Sequence, residues 1–279
     1  DAGLIERRHG QWQIASLKDG QLVLPDGLTK AFKLKLKNLS PDQLLLLQSL
    51  AVMGRPVTAR QISAMTALDI CRTGKDLLYL KSQSLLAVLQ EENGEPLYGL
   101  HHSKITTEVC RSAPPELLSR LHRAAARILE RQEKHSLQEL SALSRHWEEA
   151  GEPGKAREFH LLAGDGLAEF SKQQAIEHYR QAIELSPSRP DVLVLEKLQK
   201  LYYVSGEFQK AFEASQNLHQ ARGPSPDSYY KLGRCQERLG NYESSIEYLR
   251  QGLAVSGGDP QSAARLMGAI AITCISRGE

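Results

Sequence analysis

Six residues recur as a set at one fixed spacing. Leu195, Leu198, Tyr202, Gly206, Phe208 and Ala211 are echoed 34 positions later by Tyr229, Leu232, Gln236, Gly240, Tyr242 and Ser245. A period of this length marks stacked supersecondary units, none of which can bury its apolar face alone. The order of residue types gives each a role. The glycine forms a turn between two helices, where a positive φ costs it nothing. The aromatic residue two positions on plugs the gap between the helices, and the small residue three further on lets their backbones approach. A generic bundle of antiparallel helices also uses Ala and Leu at helical spacing, but it would not repeat this string in register.

Thirty-four residues is the tetratricopeptide period. An upstream copy reads Ser171, Ala175, Tyr179, Ala182, Pro187, with Ser171 and Gln174 as a capping box and Pro187 closing the second helix. Ala175 and Ala211 are 36 residues apart, which places a two-residue insertion in the loop Ser188, Arg189, Pro190. Trp147, Gly151, Pro153, Ala156 and Ala163 supply a further helix, turn and helix. Ala156 precedes Ala175 by 19 residues, so the helix from Pro153 to about Phe170 is shared between two hairpins. Asp259 and Pro260, an N-cap and a first-turn proline, open a last unit that holds its first helix alone. The array spans residues 136–279.

Residues 25–132 read differently. Ser40 with Gln43 and Thr58 with Gln61 are capping boxes, the first before the apolar run Leu44 to Val52 and the second before a short helix through Ala67. A third helix covers about Arg72 to Ser82. The apolar stretch Leu85 to Leu89, then Glu91, Glu92, Asn93, Gly94 and Glu95, then Leu97 to His101 predicts a two-stranded hairpin on an Asn-Gly turn. Helices follow from about Lys104 and from Glu116 to Gln132. Three helices and a hairpin wing define a winged-helix domain. The chain is therefore expected to be mostly α: a winged helix with a small β-hairpin wing, then an α-solenoid of tetratricopeptide-like hairpins.

The segments LPDGLTKAFKLKLKNLSPDQLLLLQSLAVMGRPVTARQIS, LYGLHHSKITTEV, LSRLHRAAARILE and LSRHWEEAGEPGKAREFHLLAG occur in that order. This succession resembles the region after the nucleotide-binding module in bacterial signal-transduction ATPases with numerous domains. Maltose-type transcription activators and multidomain Ser/Thr kinases with an ATPase module are examples. The resemblance covers roughly residues 3–190 and implies a winged helix that relays between an ATPase and a repeat sensor. It makes residues 1–24 the trailing edge of that ATPase module. The first residue is not Met, and the chain is expected to be part of a longer protein.

The family's ATP-binding residues are missing here. A phosphate cradle needs Gly-x-x-x-x-Gly-Lys-Ser/Thr, whereas Gly74-Lys75 and Gly154-Lys155 are followed by Asp76 and Ala156 and lack the earlier glycine. No HExxH or GxSxG pattern occurs among the nine histidines. His101 and His102 on a strand face opposite sides, and His122, His146 and His160 read as surface or half-buried helix residues. Cys71, Cys110, Cys235 and Cys274 have no metal-site spacing and read as reduced, half-buried thiols. The expectation is a protein without enzymatic activity, cofactor or metal. With no membrane-spanning run and no signal peptide, it is expected in the cytoplasm.

Residues 1–135 hold 19 Lys+Arg and 14 Asp+Glu, net +5, and the remainder 16 and 19, net −3. A DNA-binding winged-helix regulator is thus the alternative class, with Arg72, Lys75 and Lys81 on the third helix. Glu91, Glu92 and Glu95 at the wing tip oppose it, because they place negative charge where phosphates would approach. The binding surface is expected on the first helices of the array. There Lys200 and Arg234 share one register position, and Tyr203, Tyr230 and Arg238 fall on the same inner stripe. Two rings and three cations fit an extended acidic or aromatic peptide, the partner being a protein or another ligand, with the ATPase module of the same polypeptide as the second partner.

Overall fold

The computed structural model describes residues 5–8, 11–14, 35–92, 94–100, 103–186 and 191–278. Two compact units divide it, Asp1–Ile128 and Leu129–Glu279.

In the first unit, β1 (Ile5–Arg8) and β2 (Gln11–Ile14) pair antiparallel, a hairpin that the sequence reading did not assign. Helices α1 (Pro41–Met53), α2 (Ala59–Thr66) and α3 (Ile70–Ser82) follow, and Ser40 and Thr58 form the two expected capping boxes. The expected hairpin is present as β4 (Leu86–Glu92) and β5 (Glu95–Leu100), closed at Gly94 with φ 76°. It is not two-stranded. A short β3 (Val57–Thr58) pairs antiparallel with β5, giving the sheet order β3-β5-β4. Two residues carry too little alternation to read as a strand, and Thr58 serves both as the ladder partner of Leu97 and as the cap of α2. Helices α4 (Ser103–Arg111) and α5 (Pro115–Glu130) complete the order. Leu46, Leu47, Leu50, Val57, Ile62, Leu77, Leu80, Leu86 and Ile105 form the buried interior.

The second unit contains α6 (Leu137–Glu149), α7 (Pro153–Leu167), α8 (Lys172–Glu184), α9 (Val192–Val204), α10 (Phe208–Arg222), α11 (Pro226–Arg238), α12 (Tyr242–Ala254) and α13 (Pro260–Arg277). Each helix packs on the next, and α7 packs on both α6 and α8, the sharing that the 19-residue spacing predicts. Gly151, Gly206 and Gly240 take φ of 72°, 78° and 81° at the turns. The small residues Ala175, Ala211 and Ser245 are wholly buried at equivalent places. Around them Leu167, Tyr179, Leu198, Tyr202 and Cys235 make one continuous core across successive hairpins. Asp259 caps α13 through the Ser262 amide, as expected.

Several expectations need correction. Ser171 forms no capping box. The residues that cap α1, α2 and α6 have ψ of 158°, 159° and 161°, whereas Ser171 has ψ 87° and its hydroxyl accepts nothing from the first turn. His146 and His160 are buried, not superficial, because their helices are covered on more than one side. Cys71 is exposed and Cys235 is buried, so half-burial holds for Cys110 and Cys274 alone. Pro187, the loop Ser188 to Pro190, Asn93, His101 and His102 lie outside the described residues. Among the described residues no helix is long and apolar enough to cross a membrane, and no cluster of His, Cys, Asp or Glu could hold a metal.

The turn glycines yield a first prediction. A Cβ at Gly240 would meet nothing within 4 Å, so any cost of Gly240→Val comes from the backbone. Holding a β-branched residue at φ 81° is expected to cost about 1–3 kcal/mol. A thermal melt of the chain measures it, and an unchanged midpoint would show that this φ is not required.

Candidate peptide-binding groove

Three first helices, α9, α11 and α13, converge on one pocket of about 270 Å³. Helix α9 contributes Gln199, Lys200, Tyr203 and Val204; α11 contributes Tyr230, Lys231 and Arg234; α13 contributes Arg265. The 34-residue register sets this convergence, since equivalent positions of stacked units present the same face. Four of the five residues expected from the sequence, Lys200, Tyr203, Tyr230 and Arg234, therefore line a single site. Arg238 does not line it. Its guanidinium stands 5.7 Å from the Phe208 ring centre, so it packs beside the pocket from α11.

Four cations and no carboxylate face the pocket. Two other clefts of the array each include a carboxylate, Glu177 in one and Glu213 in the other. The acids that balance these cations lie behind the lining. Lys231 is 2.7 Å from Asp227 and 3.9 Å from Glu196, and Arg265 is 3.1 Å from the other Asp227 oxygen. Burial pushes the Asp227 carboxyl up, but hydrogen bonds and charge from Lys231 and Arg265 outweigh it and hold the group below the ordinary carboxylate range. Arg234 meets Glu237 at 2.7 Å, and this pair is mostly shielded from water, with side chains 19% and 7% exposed. Lys200, by contrast, is exposed and has no ion-pair partner among the described residues.

The aromatic part is preorganised. Tyr203 packs edge-on against Phe208, their ring centres 5.5 Å apart. The Arg265 guanidinium lies 3.8 Å from the Tyr230 ring centre, a cation–π contact that fixes both side chains. Half-buried, Tyr203 and Tyr230 each keep an open edge toward the pocket. The result is a basic rim around an apolar floor, suited to a ligand that pairs negative charge with an apolar body.

Sequence reasoning missed Gln199, Val204, Lys231 and Arg265. Two of these carry a readable signal. Lys197, Lys231 and Arg265 follow one another at 34-residue intervals, the same register that relates Lys200 to Arg234. Lys197 shows the position's usual behaviour, bridging to Asp165 of the preceding first helix at 2.5 Å.

Its period, turn geometry and buried small residues make the second unit an array of tetratricopeptide-like helical repeats. The tetratricopeptide repeat family model matches residues 226–258, the α11 and α12 hairpin. No curated protein sequence matches the chain. Among solved structures, one similar chain is a signal-transduction ATPase with numerous domains, with a tetratricopeptide repeat sensor, from Pyrococcus horikoshii. It is 13% identical with a TM-score of 0.43, covering 95% of this chain and 45% of that one. Another is MamA from Desulfovibrio magneticus RS-1, 15% identical with a TM-score of 0.38, covering 57% and 91%. A thermophilic tetratricopeptide protein from Thermus thermophilus is 16% identical with a TM-score of 0.34, covering 56% and 97%.

Proposed function

We propose that the chain is the regulatory and sensing part of a multidomain signalling ATPase and is not itself an enzyme. The array binds an extended acidic, aromatic-bearing segment of a protein partner, and the first unit, read as a winged helix, relays occupancy to the ATPase module. The observation that carries the binding role is the carboxylate-free pocket shared by three successive first helices. The relay rests on the ordered sequence segments that resemble this ATPase family.

DNA binding through the third helix is disfavoured. Arg72 is already paired with Asp42, Glu95 of the hairpin holds Arg60 at 2.9 Å, and Leu78 and Tyr79 of α3 are exposed beside Lys75. A duplex approaching α3 would meet exposed apolar side chains beside its cations, one of which, Arg72, is already engaged.

Lys200 supplies the test, because it can be reversed without breaking an internal ion pair. Fluorescent decapeptides rich in Glu and Phe, and matched peptides rich in Lys and Phe, are titrated against wild type and Lys200→Glu. The acidic peptides are expected to bind in a salt-sensitive way, and the variant to bind them about tenfold more weakly, or roughly 1.4 kcal/mol. Equal affinity for both peptide classes, or an indifferent variant with an intact fold, would move the partner away from this groove.

A further inference from the structure

Outside the groove, the helix layer from α6 to α8 contains a chain of polar contacts that the binding role does not use. His160 of α7 and His178 of α8 face each other through their Nδ1 atoms at 2.8 Å. On the far side of His160, Nε2 is 3.4 Å from the Glu148 carboxylate of α6. Beyond His178, Nε2 is 3.0 Å from the Ser141 hydroxyl, also of α6. His160 is buried and His178 half-buried, at the edge of a cleft of about 420 Å³ with Gln138, Gln174 and Glu177.

Proton counting fixes the tautomers. An ionised Glu148 can only accept, so His160 carries its proton on Nε2 and offers a bare Nδ1. His178 must then donate from Nδ1, which leaves its Nε2 to accept from Ser141. But Ser141 also lies 3.0 Å from the Leu137 carbonyl and has one proton to give. In the neutral pair one of these two contacts goes unmade. A proton added at His178 Nε2 has a hydrogen-bonded place, since that nitrogen can then donate to Ser141 and Ser141 to Leu137, although burial of the ring opposes it. A second proton has no such place, since it would point two N–H groups at each other across 2.8 Å.

We propose that His160 and His178 form a proton-operated lock on the α6, α7 and α8 layer, one that accepts a single proton and opens on the second. The charged groups acting on the pair are Glu148 from α6 and Glu177 from α8. They favour protonation, but burial opposes it more strongly at both rings, and at His178 the His160 charge adds to the opposition. The sign follows. Both folded values lie below the ordinary histidine value, so the unfolded chain binds more protons just below about pH 6.5, and stability falls as acid is added through that range.

The experiment follows ring nitrogen and proton signals by NMR in the full chain, together with thermal melts. The two rings are expected to show opposite tautomers at neutral pH and to titrate as a coupled pair in two separated steps. Wild type is expected to lose about 3 °C or more between about pH 7.5 and about pH 5.5, and His178→Gln, whose amide can still bond His160 and Ser141, to lose clearly less. Should His178→Gln not fold, the wild-type titration decides alone. Two rings titrating independently at the ordinary value, or a variant with the wild-type acid response, would overturn the proposal.

Discussion

Arg234→Ala is expected to destabilise the array by about 3–5 kcal/mol, the range for stripping one partner from a buried ion pair. Glu237 is 7% exposed at its side chain, and its carboxylate faces Arg234 at 2.7 Å, a close charge contact whose two nearest atoms make no hydrogen bond. Without the guanidinium, the carboxylate would be left charged in a poorly solvated place. The loss should therefore shrink when the acid goes too. The double variant Arg234→Met, Glu237→Leu is expected to recover most of the stability, because matched apolar groups remove the stranded charge. Urea unfolding followed by circular dichroism measures both. A single-variant cost under about 1 kcal/mol would place the pair in the class of exposed surface bridges. The same geometry bears on binding experiments. Arg234 lines the groove, yet reversing its charge would set two acids side by side, so a lost affinity there would report folding. Lys200, free of such a partner, reports the groove itself.

The array was legible in the sequence to the extent that its physics is periodic. Gly206 and Gly240 could be assigned to turns because the φ they need recurs at a fixed offset, and Ala211 and Ser245 because close helix contact excludes larger residues there. The inner stripe followed by counting, which is why Lys200, Tyr203, Tyr230 and Arg234 come together in one pocket. Arg238 strayed by one helical step: it lies beyond the pocket edge, against Phe208. What was not legible depends on partners without a period. Glu237 gives no hint in sequence that it is buried beneath Arg234. His160 and His178 are 18 residues apart on different helices, and their contact exists because α7 and α8 pack on each other. β3 was hidden by its length, and the failed cap at Ser171 by a ψ that composition does not encode.

Gly233 shows how far the packing of a single unit goes beyond its pattern. It is buried inside α11, and a Cβ added there would fall 2.6 Å from Leu249 Cγ, 2.8 Å from Leu249 Cδ2 and 3.2 Å from the Ser245 carbonyl oxygen. Leu249 is wholly buried and cannot swing aside into solvent. The carbonyl belongs to the α12 backbone, so relief requires the two helices to separate. Gly233→Val is thus expected to cost about 3 kcal/mol, the upper part of the usual overpacking range. The helical preference of Val over Gly returns only a few tenths of a kcal/mol. Gly268 provides the control, since a Cβ there meets nothing within 4 Å. Gly268→Ala removes unfolded-chain entropy without a clash and is expected to stabilise α13 by about 0.5–1 kcal/mol. Urea melts of the two variants should therefore move in opposite directions. If Gly233→Val left the midpoint in place, α11 and α12 could not be as close as the Leu249 and Ser245 contacts require, and the convergence of α9, α11 and α13 on the basic pocket would lose its support.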